Sequence, residues 1–146
     1  MRLKIAMVLA VFAVSIAGLA NGADDPIKAR QTLMRSNGPG LKVVFQMLKG
    51  DTPFDGAAAA KAMQKLADDA AVLPTLFPPG SDVGSNALPV IWTEFDQFKA
   101  LYAKLQSDAQ ASAKAAAAND LEGLRTAFAG VDQDCGACHQ KYRQPR

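Results

Sequence analysis

The sequence is poor in the side chains that bind metals and form disulfides: its 146 residues include one histidine and two cysteines. A structural zinc site takes four ligands, usually from two separated pairs, so these three residues argue against one. In an oxidising compartment the two cysteines could form a single disulfide. Chemistry that depends on a thiol or an imidazole is therefore confined to these three residues.

The sequence also lacks a strong charge of either sign, since 16 basic and 14 acidic residues give a formal net charge of +2. Two of the basic residues, Arg2 and Lys4, lie in an N-terminal segment that we expect to be removed. Without them the chain holds 14 basic and 14 acidic residues. This balance excludes an overall basic field that would attract nucleic acid or an anionic membrane.

No apolar run is long enough to cross a bilayer. The run from Ile5 to Ala17 covers about 13 residues, whereas a spanning helix needs roughly 20. Arg2 and Lys4 precede this run and small residues follow it, which is the order of a secretory signal peptide. We predict a signal peptide over 1–22, cleaved near Gly22, and a mature domain over 23–146 in the periplasm.

Runs that alternate apolar and polar residues are scarce, and this absence argues against strands. Apolar residues recur instead at three- and four-residue spacing, which is typical of helices. We predict helices over 25–49, 55–73 and 89–118, and a last helix that begins at Asn119 or Asp120. Such a chain folds as an all-α protein, an antiparallel four-helix bundle with a longer connection between the second and third helices.

Prolines interrupt this pattern in two places. Pro39 removes one backbone donor and clashes with the preceding turn, so it should kink or break the first helix. The segment "PTLFPPGSDVGSNALP", 74–89, contains four prolines and two glycines. It is predicted to be a long crossover loop without regular structure, and loops of this length often pack over something.

The segment "DCGACHQKYR", 134–143, holds both cysteines, Cys135 and Cys138, and the histidine, His139. A redox Cys-x-x-Cys pair normally opens a helix after a strand, whereas this pair comes late in a predicted helix. Cys-x-x-Cys-His is the signature of c-type haem attachment. Two thiols on one helical face reach the two vinyl groups of the porphyrin, and the next imidazole reaches the iron. We predict one covalently attached haem c, with a haem-free redox disulfide as an alternative.

With this motif at the end of an all-helical chain, the sequence resembles the class II cytochromes c, the four-helix-bundle family that includes cytochrome c′. The resemblance covers the whole chain after the signal peptide and includes "IKARQTLM", "KGDTPFD", "LPTLFPPGSD", "IWTEFDQF" and "CGACHQKYR". It implies a periplasmic monohaem protein that is not an enzyme. Its partners would be redox proteins of a respiratory or photosynthetic chain, not nucleic acid.

Members of that family differ in the group that stands opposite the histidine. In the low-spin c-556 type a methionine binds the iron, and aligning "ARQTLM" with the family places Met34 at that position. The resemblance therefore implies a one-electron carrier whose iron is bound by His139 and Met34. The alternative is a five-coordinate, high-spin cytochrome c′ that binds nitric oxide or carbon monoxide, in which Met34 only packs.

The resemblance also suggests residues around the haem. Arg30 and Gln31 match a pair that lies near the haem propionates in the family, and Arg143 matches an arginine beside the haem on the histidine side. We expect aromatic side chains to form the walls of the pocket and the core: Trp92, Phe95, Phe98, Phe128 and Tyr142.

Oligomeric state is a further expectation from the resemblance. Cytochromes c′ often dimerise through their first two helices, whereas low-spin relatives tend to be monomers. Pro39 would disturb an interface on the first helix. The protein is therefore expected to be a monomer, with a homodimer as the alternative.

Overall fold

The computed structural model describes residues 25–145, so the predicted signal peptide lies outside the described residues. Four long helices pack as the predicted all-α antiparallel four-helix bundle, and two short helical segments lie between the second and third of them. Within this range the structure contains no β-strand and one isolated bridge, between Ala87 and Arg143. The helices are α1 (Pro26–Lys49), α2 (Gly56–Val72), α3 (Val90–Thr93), α4 (Phe95–Ala117) and α5 (Leu121–Tyr142).

Aspartates define the N-terminal ends of three long helices. The carboxylate of Asp25 accepts from the backbone N–H of Ile27 at 2.9 Å, that of Asp55 from Ala58, and that of Asp120 from Gly123. Each carboxylate satisfies a backbone donor that has no partner within its helix. Asp120 is thus the cap of the helix that carries the cysteines and the histidine.

Pro39 does not break the first helix, since α1 continues through it from Pro26 to Lys49. Polar contacts with α2 hold the turn before the proline. Asn37 Nδ2 donates to Asp69 Oδ2 at 2.9 Å, and Lys65 Nζ donates to Ser36 Oγ at 2.8 Å. The missing backbone donor costs one hydrogen bond, and these cross-helix contacts keep the segment in place.

The crossover is more ordered than predicted. A short 3-10 helix, Leu73–Leu76, extends into the segment expected to be irregular. The predicted third helix is divided at Glu94, whose φ of −122° and ψ of 34° leave helical geometry. The Glu94 carboxylate pairs with Lys141 and accepts from the Tyr142 hydroxyl at 3.2 Å. The break thus faces α5, a contact that local periodicity does not reveal.

The core fills the space between the four long helices. Phe98 of α4 lies at its centre, 1% exposed, with edge-on ring contacts to Phe77, Tyr102 and Tyr142 at centroid distances of 4.7–5.2 Å. The other large, fully buried side chains include Val44, Met63, Leu73, Ile91, Leu124 and Val131. Between residues 25 and 145 we find no helix that combines the length and apolar character needed to cross a membrane.

Candidate haem-binding site

The last turns of α5 carry Cys135, Cys138 and His139, all of them half-buried. Both cysteines pack against the hydrophobic core of the bundle. Because they are three residues apart on one helix, they share a face and lie one above the other. The arrangement therefore presents two thiols about one helical turn apart on the same face, and the imidazole follows at the next position.

Two cavities adjoin this part of α5. The larger has a volume of about 360 Å³ and is lined by Cys138 and His139, among others. The smaller, about 100 Å³, is lined by Cys135, Cys138 and His139. The two cavities share the side chains of Met34, Tyr102, Cys138 and His139. The two cavities therefore adjoin each other between α1, α4 and α5, and together they form the candidate haem space.

The two thiols are free and do not form a disulfide. Burial raises the pKa of Cys138 to about 11, and the neighbouring Cys135 adds to the shift. Burial also raises the pKa of Cys135, followed by the nearby carboxylates of Asp132 and Asp134. Redox-active Cys-x-x-Cys pairs depend on a lowered thiol pKa, so the burial of these two thiols disfavours that alternative.

Met34 lines the same space from a different helix, α1. It lies on α1, is 36% exposed, and lines both cavities together with His139. The structure therefore places the two predicted axial ligands around one space.

Arg30 lines the larger cavity, and its hydrogen bonds go to the crossover loop. One terminal nitrogen, Nη1, donates to Leu76 O at 2.9 Å and to Ser81 Oγ at 2.7 Å; the other, Nη2, donates to Ser81 O and to Ser85 Oγ. The guanidinium also stacks over Phe77, 4.3 Å from the ring centroid. Arg30 thus fastens the loop to α1, and its acceptors are all neutral.

Replacing Arg30 with glutamine should destabilise the protein by about 2–3 kcal/mol, because several buried carbonyl and hydroxyl acceptors lose a charged donor. Urea unfolding followed by circular dichroism measures this change. Arg35→Gln is the matched control, since Arg35 is exposed and its side chain bonds only Gln31 among the described residues. That variant should lose less than about 0.5 kcal/mol. Equal losses in the two variants would contradict the anchoring role of Arg30.

Gln31 and Arg143 also line the larger cavity. Gln31 Oε1 accepts from Arg35 Nη2 at 2.9 Å, an exposed contact. The Nε atom of Arg143 is buried and has no hydrogen-bond partner among the described residues. An unpaired donor of a cationic side chain beside a cavity is costly unless an acceptor joins it. The residues present therefore fit a large apolar group with anionic edges, and haem with its two propionates is such a group.

The sequence patterns did not identify two walls of the cavity. Phe77, Ser85, Asn86 and Ala87 come from the crossover loop, which is held to the end of α5 by two backbone bonds, Leu88 N to Tyr142 O and Gln144 N to Asn86 O. Tyr102 of α4 lines both cavities, and its burial raises the pKa of its hydroxyl well above the usual range. The unusual length of the loop was the one available signal for the first wall.

The aromatic residues predicted to line the pocket divide into two groups. Phe98 and Tyr142 line the larger cavity. Phe95 and Phe128 pack against the core without lining either cavity, and Trp92 does the same. The Nε1 atom of Trp92 donates to Phe77 O and Pro78 O, at 3.1 and 3.0 Å, so the indole supports the loop.

Within residues 25–145, no group of three or more histidine, cysteine, aspartate or glutamate side chains is placed to hold a metal ion. A structural zinc site needs such a group. The free thiols, the imidazole and the large cavity instead have the composition of a site for covalent haem. A helical bundle that holds this site near the end of its last helix defines a c-type cytochrome of the four-helix kind.

The chain belongs to the cytochrome c′ family, because the family model described as Cytochrome C′ matches residues 25–143. It is 38% identical to a cytochrome c-556 from Agrobacterium fabrum over 98% of this chain and 97% of the relative. It is 34% identical to a cytochrome c′ from Rhodopseudomonas palustris, again over 98% of this chain and 97% of the relative. The resemblance noted from sequence is thereby confirmed.

Solved structures that resemble this protein include cytochromes c′. A cytochrome c′ from Rhodopseudomonas palustris superposes with a TM-score of 0.77 at 35% identity, covering 84% of this chain and 98% of that one. A nitric oxide complex of a cytochrome c′ variant from Alcaligenes xylosoxidans superposes with a TM-score of 0.75 at 31% identity, covering 82% and 94%. The protein is therefore a c-type cytochrome of a family that carries haem c, functions in the periplasm, and comprises electron carriers and gas-binding haem proteins.

Proposed function

We propose that the protein is an exported one-electron carrier with a low-spin haem c. Cys135 and Cys138 would hold the haem through two thioether bonds, His139 would bind the iron from one side and Met34 from the other. A bound haem supplies a one-electron couple between ferric and ferrous iron. Arg143 would donate to its anionic edge, and Arg30 and Gln31 would border that edge.

The observation that carries this proposal is the position of Met34. It comes from α1 and His139 from α5, yet both line the two cavities together with Cys138. A thioether ligand raises the reduction potential and completes the coordination of the iron. A complete ligand set changes little between the two oxidation states, which suits electron transfer.

Buried aromatic side chains form part of the wall of this space. Phe98 and Tyr102 are 1% and 3% exposed, and both border the larger cavity. An apolar wall of this kind influences the potential of a redox centre and protects it from solvent. The loop that Arg30 anchors forms another wall of the larger cavity, so the anchoring bonds help to hold that wall in place.

A five-coordinate, gas-binding cytochrome c′ is the second candidate. Two observations favour it: Met34 is 36% exposed, and a structural relative is a cytochrome c′ variant in complex with nitric oxide. In that case Met34 would border the open side of the iron without binding it. The two candidates share the haem attachment and differ only at this side chain.

Carbon monoxide separates the two candidates. Reduced wild-type protein should keep its visible spectrum when carbon monoxide is added, because the Met34 sulfur occupies the binding position. Met34→Ala should become high-spin and bind carbon monoxide at once. Met63→Leu is the matched control, since Met63 is fully buried in the core and lines neither cavity. It should behave like wild type, whereas immediate carbon monoxide binding by wild type would establish the gas-binding candidate.

We propose that residues 1–22 are removed on export to the periplasm and that 23–146 form the mature monohaem domain. Partners would be redox proteins, selected through local charge around the site because a near-zero net charge gives weak long-range steering. We also propose that the protein is a monomer, with a homodimer as the alternative. Sedimentation velocity of the purified holoprotein tests this proposal, and sedimentation as a dimer would overturn it.

A further inference from the structure

Asp134 is a buried carboxylate in the wall of the candidate haem site. It immediately precedes Cys135 on α5, is 6% exposed, and lines the smaller cavity with Cys135 and His139. One of its oxygens, Oδ2, is buried without a hydrogen-bond partner in the part of the chain that the structure describes. A carboxylate in such a place is costly to bury, which calls for a functional explanation.

The other oxygen, Oδ1, pairs with Lys104 Nζ of α4 at 2.8 Å. The same lysine nitrogen lies 2.8 Å from Asp108 Oδ2, so one cation is shared between two carboxylates. Gly130 leaves room for this arrangement, because a Cβ there would lie 2.3 Å from Asp108 Oδ2. The three charged groups together carry one uncompensated negative charge.

The charges of this group are unequally exposed. The Lys104 side chain is 54% exposed and that of Asp108 29%, whereas that of Asp134 is 6% exposed. Water screens the lysine and Asp108 far more than it screens the buried carboxylate. Among these three groups, Asp134 therefore contributes most to the field at the smaller cavity, which it lines.

We propose that Asp134 lowers the reduction potential of the haem by placing a buried negative charge beside its attachment point. This inference rests on the proposed attachment of haem at Cys135 and Cys138. Ferric iron carries one more positive charge than ferrous iron, so a nearby anion stabilises the oxidised form. Asp134 thus acts on the haem through its charge and does not bind the iron.

The test is a redox titration of the purified holoprotein and of Asp134→Asn, which keeps the shape and removes the charge. At the wild-type midpoint potential the ratio of reduced to oxidised protein should rise about tenfold in the variant, a shift of about 59 mV for a one-electron couple. Asp134→Ser, a smaller neutral substitution, should shift the ratio in the same direction if charge is the cause. Both shifts should persist at high salt, since the carboxylate is buried.

Glu122→Gln is the matched control, because it removes one exposed carboxylate from the first turn of the same helix. Its ratio should change less than about twofold. Red Asp134 variants with an unchanged or lowered potential would overturn the proposal while leaving the haem assignment intact. A colourless wild-type protein would overturn the haem assignment itself and this proposal with it.

Discussion

Replacing Cys135 and Cys138 together with alanine should abolish covalent haem attachment. The two thiols are the only cysteines of the chain, so no other side chain can form a thioether. Wild-type protein, coexpressed with haem-attachment machinery, should hold about one haem per chain, and the double variant less than about a tenth of that. Haem staining after denaturing electrophoresis measures the change, and the intact mass of the wild-type sample also gives the cleavage site.

Ala137→Ser is the control for this prediction, because Ala137 lies between the two cysteines and is exposed. It changes the same turn of α5 without removing a thiol, so haem content should stay at the wild-type level. Each single cysteine variant should retain one thioether and show an altered haemochrome spectrum. Full covalent haem in the double variant would contradict the assignment of both residues.

Replacing Phe98 with alanine should destabilise the apoprotein by about 3–5 kcal/mol, the usual cost of deleting a buried phenylalanine ring. Phe98 is 1% exposed and contacts the rings of Phe77, Tyr102 and Tyr142. The substitution removes buried apolar surface and leaves three aromatic neighbours facing a void. Because Phe98 joins α4 to the loop and to α5, the loss falls on the elements that enclose the site.

Phe45→Ala provides the comparison, since Phe45 is 53% exposed on α1. Its loss should be below about 1 kcal/mol, as is usual for surface positions. Urea unfolding followed by circular dichroism gives both values from proteins of equal length. A Phe98→Ala variant as stable as Phe45→Ala would mean that the aromatic cluster does not hold the bundle together.

Local patterns were sufficient for the features that depend on neighbours along the chain. The spacing of apolar residues predicted the four long helices, and Asp120, one of the two predicted candidates, caps the last of them. Cys135, Cys138 and His139 were also predictable as a unit, because a helix places residues three apart on one face. The structure then brought Met34 to the same space from a different helix.

Contacts between distant segments could not be predicted in the same way. Arg30 bonds Leu76, Ser81 and Ser85, which lie 46 to 55 positions further along the chain. The division of the third helix at Glu94 accompanies contacts with Lys141 and Tyr142. Each of these contacts depends on how the crossover loop and α5 pack in the folded protein. Local periodicity carries no information about that packing.

The burial of Asp134 shows the same limit within the haem motif itself. In the sequence it is one acidic residue before Cys135, and acidic residues are mostly exposed. Its burial follows from the approach of α4, which brings Lys104 to 2.8 Å. The charge environment of the site was therefore visible only once the helices had been placed together.

The visible absorption spectrum of the wild-type holoprotein, oxidised and then reduced, tests the central claim most directly. That claim is a haem held at Cys135 and Cys138 with the sulfur of Met34 on the iron opposite His139. The account predicts a weak far-red sulfur-to-iron band in the oxidised protein, which Met34→Ala removes, and sharp split bands on reduction. A broad high-spin spectrum in both oxidation states, without the far-red band, would contradict it.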